Sequence, residues 1–600
     1  MTQGHLDIIQ ESTANTLCAV VKERVNRSPQ KIAFQYFDKM QHKWLSYSWS
    51  EFEQAIRLWQ GGLKKLGINP GDTVGIMLRN CPEWVLFEQA ALRLGAVTVP
   101  LYPNDRPDNV SHIVNQAEIK VMLIECAAQY EIVREASPSF ERIPILLSLD
   151  EIPQPTDKLP AQQTIHWLDG TRASDENDMH HAQPHELATI VYTSGTTGLP
   201  KGVMLSHHNI LFDARAGVAA QPVYDDDLFL SFLPLSHTLE RTVGLYIPVL
   251  CGASVAFARS IPQLGEDLLI IRPTVIITVP RIFEKVYTKV INQLEEKSPL
   301  AQKLFRATVS VGWHRFEYQQ HRRGYSLSLL AWPLLNKLVA GKVLAKLGGR
   351  LRFAISGGAP LPELIGQTFI GLGLPILQGY GLTESSPVIS VNPDHCNRPS
   401  SIGPALPGIE VRVAEDGELQ ARSPANMLGY WKNSAASKET FTSDGWLKTG
   451  DLARIVDDYI YITGRKKEIL VLSNGEKVPP VDIEMAIALD PLFEQVMVIG
   501  EQRPYLTAVV VLEHEAWKKL AAKLNLSNDE SSLPNKQVMD YVIKHIAHCM
   551  HAFPGYAQIR KVHLSLHTWT DVNGLLTASL KMRRKPLMDF YKDEIENLYR

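Results

Sequence analysis

The sequence predicts an α/β fold, with a large multi-sheet body followed by a small α+β unit at the C-terminus. Three observations carry this. Short apolar strands alternate with amphipathic helical stretches through the first part, the rhythm of parallel strands joined by crossover helices. Beyond residue 402 the pattern shortens into strands with glycine turns, as at Asp416-Gly417-Glu418. After Gly464 a second, smaller set of elements begins. The 600 residues exceed one ordinary core, so at least two domains are expected, divided at 1–464 and 465–600.

Each element has a local reason. Ser50-Glu51-Phe52-Glu53 fits a capping box, and Phe52, Ala55, Ile56, Trp59, Leu63 and Leu66 follow helical spacing up to Gly67. Residues 73–78 read as an apolar strand, and a helix opens at Pro82 and closes near Gly95. A strand at 96–100, a helix from about Pro107 and a strand at 120–124 continue the series. Residues 135–185 are polar and rich in proline, which reads as a surface excursion rather than a domain boundary. The rhythm resumes at Leu187 and runs through strands at 274–278 and 351–355. Between these lies a mainly helical stretch, about 280–346, with basic residues among leucines. The final unit holds a turn at Ser473-Asn474-Gly475, a helix from Pro480, strands at 495–500 and 506–512, and two further helical patterns.

Composition narrows the function classes. With 45% hydrophobic and 21% charged residues and a net charge of -3, the chain has no global pull toward nucleic acid. Its six cysteines lie far apart, without a CxxC pair, which argues against a disulfide framework or zinc site and for a reducing, cytoplasmic setting. The first residues lack a basic region followed by an apolar run, so no secretory signal is expected. The segment 327–343 is apolar with lysines. It could lie against a membrane, or pack as a helical pair, which is the favoured reading.

The most informative segment is the run at 190–202. An apolar strand feeds Thr193, Ser194, Gly195, Thr196, Thr197 and Gly198, then Leu199-Pro200-Lys201-Gly202. Glycines let backbone N–H groups approach a polyanion closely, the hydroxyls add donors, and Lys201 adds positive charge. Pro200 before the lysine and Gly202 after it exclude a Walker loop. An ordinary polar turn between strand and helix is the plain alternative.

The run at 192–209, YTSGTTGLPKGVMLSHHN, closely resembles the phosphate loop of the adenylate-forming superfamily of acyl-CoA synthetases, luciferases and nonribosomal adenylation domains. Four further segments resemble that family's motifs, in order. Gly379-Tyr380-Gly381-Leu382-Thr383-Glu384 offers an aromatic face for a purine, a hydroxyl near phosphate and a carboxylate able to hold Mg²⁺. It follows Ser356-Gly357-Gly358-Ala359-Pro360, at the carboxyl edge where α/β sheets bind ligands. Asp444-Gly445-Trp446-Leu447-Lys448-Thr449-Gly450-Asp451 ends on the carboxylate that the resemblance assigns to the ribose hydroxyls. Tyr461-Ile462-Thr463-Gly464-Arg465-Lys466-Lys467-Glu468 resembles the hinge, with Arg465 on ribose or phosphates and Lys467 as pivot. Gly574-Leu575-Leu576-Thr577-Ala578-Ser579-Leu580-Lys581 places Lys581 as the adenylation lysine, but carries Ala578 and Ser579 where long-chain members have Pro and Thr.

The resemblance implies an enzyme that joins a carboxylic acid to ATP and passes the acyl group to coenzyme A. Catalysis would rest on Lys581, Glu384, Thr383 and His237, with Mg²⁺ on Thr196 and Glu384. Nucleotide contacts fall to the 193–198 loop, Lys201, Gly357, Gly358, Ala359, Gly379, Tyr380, Gly381, Asp451, Arg465 and Lys467. Leu233-Pro234-Leu235-Ser236-His237-Thr238-Leu239-Glu240-Arg241 resembles the long-chain fatty acid branch, as do the helical, basic stretch before 347–352 and the later 471–475. His237 would stand near the acyl or thiol path, unless it is a buried histidine with a satisfied hydrogen bond. A carrier-protein phosphopantetheine arm as acceptor stays open, since it forms the same thioester. A fatty acyl-AMP ligase is disfavoured by the lack of an insertion before the hinge. A catalytically silent acyl-binding protein is disfavoured by the retained Lys201, Glu384, Asp451, Arg465 and Lys581.

Overall fold

A computed structural model describes residues 4–153, 155–175, 178–193, 199–466, 468–551, 553–570, 573–577 and 581–600. Among these, two large sheets form the body. One runs in the order 388–391, 376–381, 353–356, 275–278, 228–231, 254–257, 32–38, 43–48, parallel except at its two edges. The other runs 429–430, 201–206, 187–193, 97–100, 73–77, 121–124, 145–148, 161–163, parallel except for its first two pairings. Their central strands are buried on both faces, as covered parallel strands must be. An antiparallel sheet of 410–413, 418–422, 447–456 and 459–465 closes the body.

The C-terminal unit has a three-stranded sheet, Phe493–Ile499, Leu506–Leu512 and Ile559–Ser565, and the expected hairpin around Asn474 and Gly475. Its buried apolar residues form clusters drawn from 472–595, while those of the body are drawn from 9–460. Apart from half-buried Leu489, which packs on a cluster of the body, the two parts bury their apolar surface separately.

Two expectations need correction. The helix Trp49–Lys65 is capped by Ser48, not Ser50: the Ser48 side chain accepts from Glu51 N–H, and the Glu51 carboxylate accepts from Ser48 N–H at 2.8 Å. Both serines have a glutamate three residues on, but the earlier start brings the buried Trp49 into the apolar stripe of Phe52, Ile56, Trp59 and Leu63. The stretch 135–185 is more than a surface excursion. Ile145–Ser148 and Ala161–Gln163 extend the second sheet in parallel, with Leu146 and Leu147 buried.

Candidate active site

Several strand ends and connecting loops converge on one region. Asp451 and Arg465 face each other across adjacent antiparallel strands. Arg465 Nε donates to Asp451 Oδ1 at 2.9 Å, and the Tyr380 hydroxyl donates to Oδ2 at 2.5 Å. Asp451 is buried, so its charge is fixed in direction by these two donors. Burial alone would lower the Arg465 pKa, but the Asp451 charge outweighs it and the guanidinium is held above its usual value. The Tyr380 phenol is pushed well above 10 by burial and by Asp451, so it remains a donor. A carboxylate flanked by an arginine and a phenol can accept from a pair of adjacent hydroxyls.

The strand Leu187–Thr193 turns back into Lys201–Ser206, and Thr193 pairs directly with Lys201. The hydroxyl- and glycine-rich loop therefore closes a β-hairpin, not a strand-to-helix turn. Ser194, Gly195, Thr196, Thr197 and Gly198 lie outside the described residues, as do Lys467, Ala578 and Ser579. At the hairpin base the Pro200 carbonyl meets His112 Nε2 at 3.0 Å. Lys201 Nζ stands 5.1 Å from the centre of the Tyr430 ring, and the Tyr430 hydroxyl donates to Glu384 Oε1 at 2.7 Å. Tyr430 thus orients the lysine and the carboxylate together. It lies on the short strand Gly429–Tyr430 that pairs with the second hairpin strand. Sequence reasoning missed it, because Tyr430 falls between the recognised motifs; its neighbour Gly429 and the aromatic pair Tyr430-Trp431 were the only signal.

Glu384 sits in a single 3₁₀ turn, Thr383–Ser385, after the strand Ile376–Gly381; Thr383 is buried. Gly381 is dictated by space, since a Cβ there would come within 1.7 Å of the Pro387 carbonyl oxygen. Among the described residues no group of three or more His, Cys, Asp or Glu side chains could cage a metal. A magnesium ion held by Glu384 and by substrate phosphates fits this, because Mg²⁺ commonly takes one or two carboxylates plus phosphate and water.

Lys581 reaches this region from the C-terminal unit. Its loop is pinned at the base: Lys581 N–H donates to Thr577 Oγ1 at 3.0 Å, Thr577 N–H donates to the Lys581 carbonyl at 2.8 Å, and Leu576 bridges Met582. Its Cε lies 3.8 Å from where a Cβ on Gly358 would stand, and Gly358 adopts φ +81°, a conformation suited to glycine. Burial lowers the Lys581 pKa, and Arg465 lowers it further, against Asp451 and Glu468.

His237 is here too. Its pKa is lowered to about 4 by burial and by the Lys581 charge, so the ring is neutral at pH 7. Nδ1 accepts from Leu239 N–H at 3.2 Å, which leaves the proton on Nε2. Leu239 packs against Gly357, where an added Cβ would meet Leu239 Cδ2 at 3.3 Å and the Gly379 carbonyl at 3.5 Å. Gly357, Gly358, Gly379, Tyr380, His237, Asp451, Arg465 and Lys581 are therefore gathered at one place, with Ala359 following Gly358 in the same loop. The other end of the same motif does something different. Arg241 is buried, ion-paired with Glu88, and donates to Thr189 Oγ1 at 2.8 Å and Thr98 Oγ1 at 3.0 Å. It ties the π-helical turn Glu240–Tyr246 to the strands beneath the hairpin.

Comparison with known proteins agrees with this geometry. The AMP-binding enzyme family matches residues 21–431, and the AMP-binding enzyme C-terminal domain matches 467–600. The chain is 32% identical to the long-chain-fatty-acid–CoA ligase FadD15 of Mycobacterium bovis, over 98% of this chain and 97% of the relative. It is 31% identical to fatty acyl-CoA synthetase A of Dictyostelium discoideum, over 92% and 86%. Among solved structures, the A domain of a carboxylic acid reductase from Segniliparus rugosus, with AMP and a co-purified carboxylic acid, superposes with TM-score 0.79 at 19% identity, covering 100% of this chain and 97% of that one. The anthranilate CoA ligase AuaEII with anthranoyl-AMP gives TM-score 0.75 at 19% identity, covering 98% and 100%, so the fold is shared. With family matches over both parts and a full-length relative above 30% identity, the chain belongs to the AMP-binding enzyme family.

Proposed function

We propose that this chain is an AMP-forming long-chain fatty acid–CoA ligase. The observation that carries the reading is the arrival of Lys581, from a separately packed C-terminal unit, beside Gly358 and within reach of the charges of Arg465 and Asp451. The names of the curated relatives support fatty acid as the acid and coenzyme A as the acceptor. The co-substrates are ATP and coenzyme A, and Mg²⁺ would supply charge neutralisation between triphosphate and carboxylate.

In the first half-reaction the fatty carboxylate attacks the α-phosphorus, the α–β phosphoanhydride bond breaks, and acyl-AMP and pyrophosphate form. A carboxylate and a triphosphate repel, so charge must be compensated where the pentacoordinate state develops. Lys581 and Lys201 bring positive charge, Glu384 is oriented by Tyr430, and Asp451 with Arg465 holds the ribose. In the second half-reaction the thiol of coenzyme A attacks the acyl carbon, the C–O bond to AMP breaks, and the thiol proton is lost to solvent. His237, neutral and carrying its proton on Nε2, lies near the acyl carbon in this reading.

The division into an adenylating body, 1–464, and a lid, 465–600, belongs to the same proposal and is supported by the separate cores. So does a cytoplasmic location with one face at a membrane. The test is pyrophosphate and AMP release with MgATP and a ladder of fatty acids, with and without coenzyme A. Turnover that peaks on long chains and needs coenzyme A is expected. Pyrophosphate release that coenzyme A leaves unchanged would redirect the acceptor to a carrier protein, and no release with any acid would favour an acyl-binding protein.

A further inference from the structure

The helical stretch that follows the strand Val275–Thr278 ends in a surface that no described part of the chain covers. Pro280–Glu295 and Pro299–Gln319 lead to a segment, Leu327–Ala345, that is long and apolar enough by length and composition to cross a membrane. It cannot do so while folded as it is. Ala340 is buried in a cluster with Phe305 and Leu372 against which Trp332, Val339 and Val343 pack, Leu335 is buried as well, and Arg315 lies 5.3 Å from the centre of the Trp332 ring. Pro333 and successive 3₁₀, α and π turns break the segment into short pieces. One face is therefore welded to the body. The expected packed helical pair holds for that face alone.

The opposite face is bare. Leu327, Leu330, Leu334 and Leu338 are 78%, 68%, 61% and 42% exposed, at spacings that align them on one side of the segment. Single exposed leucines are ordinary, but an aligned row of four is not. The charge around it is lopsided. Residues 299–350 carry nine Lys or Arg against one acidic residue, Glu317, in a chain whose net charge is -3. Lys337 and Lys342 are exposed on the segment itself, and Lys346, also exposed, directly follows it. An exposed apolar row with lysines on the same segment has the character of an interfacial helix that rests in a headgroup layer. A protein partner would have to match both a leucine row and this excess of positive charge. An anionic bilayer supplies both.

We propose that this face docks peripherally on an anionic lipid surface, leucines in the acyl boundary and lysines at the headgroups. The proposal rests on the fatty acid reading for its purpose, since long-chain acids partition into bilayers, but its test does not. The full chain is sedimented with vesicles of phosphatidylcholine alone and with phosphatidylglycerol added, without ATP or acid. Binding is expected to be stronger to the anionic vesicles and to weaken with salt. Leu330→Glu with Leu334→Glu should lower partitioning at least about tenfold on both vesicle types, from lost apolar burial. Lys337→Gln with Lys342→Gln should lower it about tenfold on anionic vesicles only. Both double variants should keep wild-type thermal unfolding and pyrophosphate release with a short, water-soluble acid. Vesicle binding that is absent in the wild type, or equal in wild type and leucine variant, would overturn the proposal. So would a wild-type dimer that the leucine variant dissolves, which would make the face an interface between copies. If vesicles bind but no fatty acid supports turnover, the functional reading fails and the docking surface stands.

Discussion

Replacing Lys581 by alanine should separate the two half-reactions. In the proposed mechanism the side chain would deliver a positive charge to the α-phosphate, and its loop base is pinned through Thr577 and by the Leu576–Met582 bridge, so alanine removes the charge without releasing these contacts. Two unit charges about 4 Å apart at an effective dielectric of about 20 interact by about 4 kcal/mol. If that contact strengthens fully in the transition state, the rate falls by about three orders of magnitude. Pyrophosphate release with MgATP and fatty acid measures the first step, and CoA thioester formation from supplied acyl-AMP measures the second, which should stay within about threefold. Because burial and Arg465 depress the lysine, the basic limb of kcat/KM for adenylation should lie below the ordinary lysine value. Arg465→Gln should move that limb upward even as it lowers the rate. Equal losses in both half-reactions, or a limb that Arg465→Gln leaves in place, would refute the reasoning.

Other residues give equally definite expectations. Tyr430→Phe removes the hydroxyl that orients Glu384. Adenylation should fall about tenfold, and the Mg²⁺ concentration for half-maximal rate should rise, with little change in stability. Asp451→Asn takes the charge from between Tyr380 and Arg465, and should raise KM for ATP about ten- to a hundredfold while sparing KM for coenzyme A. His207 is buried, accepts from Leu17 N–H, and has its pKa lowered by burial to about 4. Its folded pKa lies below its unfolded value, so the unfolded chain binds more protons between about pH 6.5 and 4, and stability is lost as pH falls through that window. The loss by pH 5 is about 2 kcal/mol, and His207→Gln should flatten the pH 7 to pH 5 dependence of the unfolding free energy, read from denaturant titrations, by that amount.

Much of this architecture was legible because its signals are local. Strand and helix periodicities, Pro82, Pro107 and Pro480 at helix starts, and the Asn474-Gly475 turn each act within a few residues. The strands at 145–148 and 161–163 were not legible, because two short runs among prolines become strands only by pairing with a neighbour that is already buried. Within the site, Asp451, Arg465 and Lys581 could be named from motifs, yet their meeting is tertiary. Tyr430 shows the limit most clearly. Its role comes from a two-residue strand laid beside the hairpin and from one hydroxyl aimed at Glu384, neither of which leaves a periodic trace. Arg241 shows the converse, since it sits in a motif read for substrate but is spent on holding Thr98 and Thr189.

The pairing of Thr193 with Lys201 has a consequence for how tightly phosphate can be held. Where a phosphate loop opens a helix, the aligned peptide dipoles at the helix start contribute a standing positive field. A β-hairpin has no such macrodipole, because the peptide dipoles of its strands alternate and largely cancel. In the proposed nucleotide site, anion affinity here would then have to come from single donors and from lysines rather than from a helix start. One of those lysines, Lys201, is built into the hairpin, while the other, Lys581, belongs to a unit with a core of its own. In the proposed reaction the grip on polyphosphate would be divided between a fixed charge and a removable one, and departure of the C-terminal unit as a lid would loosen the leaving pyrophosphate in the same motion that uncovers the acyl-adenylate.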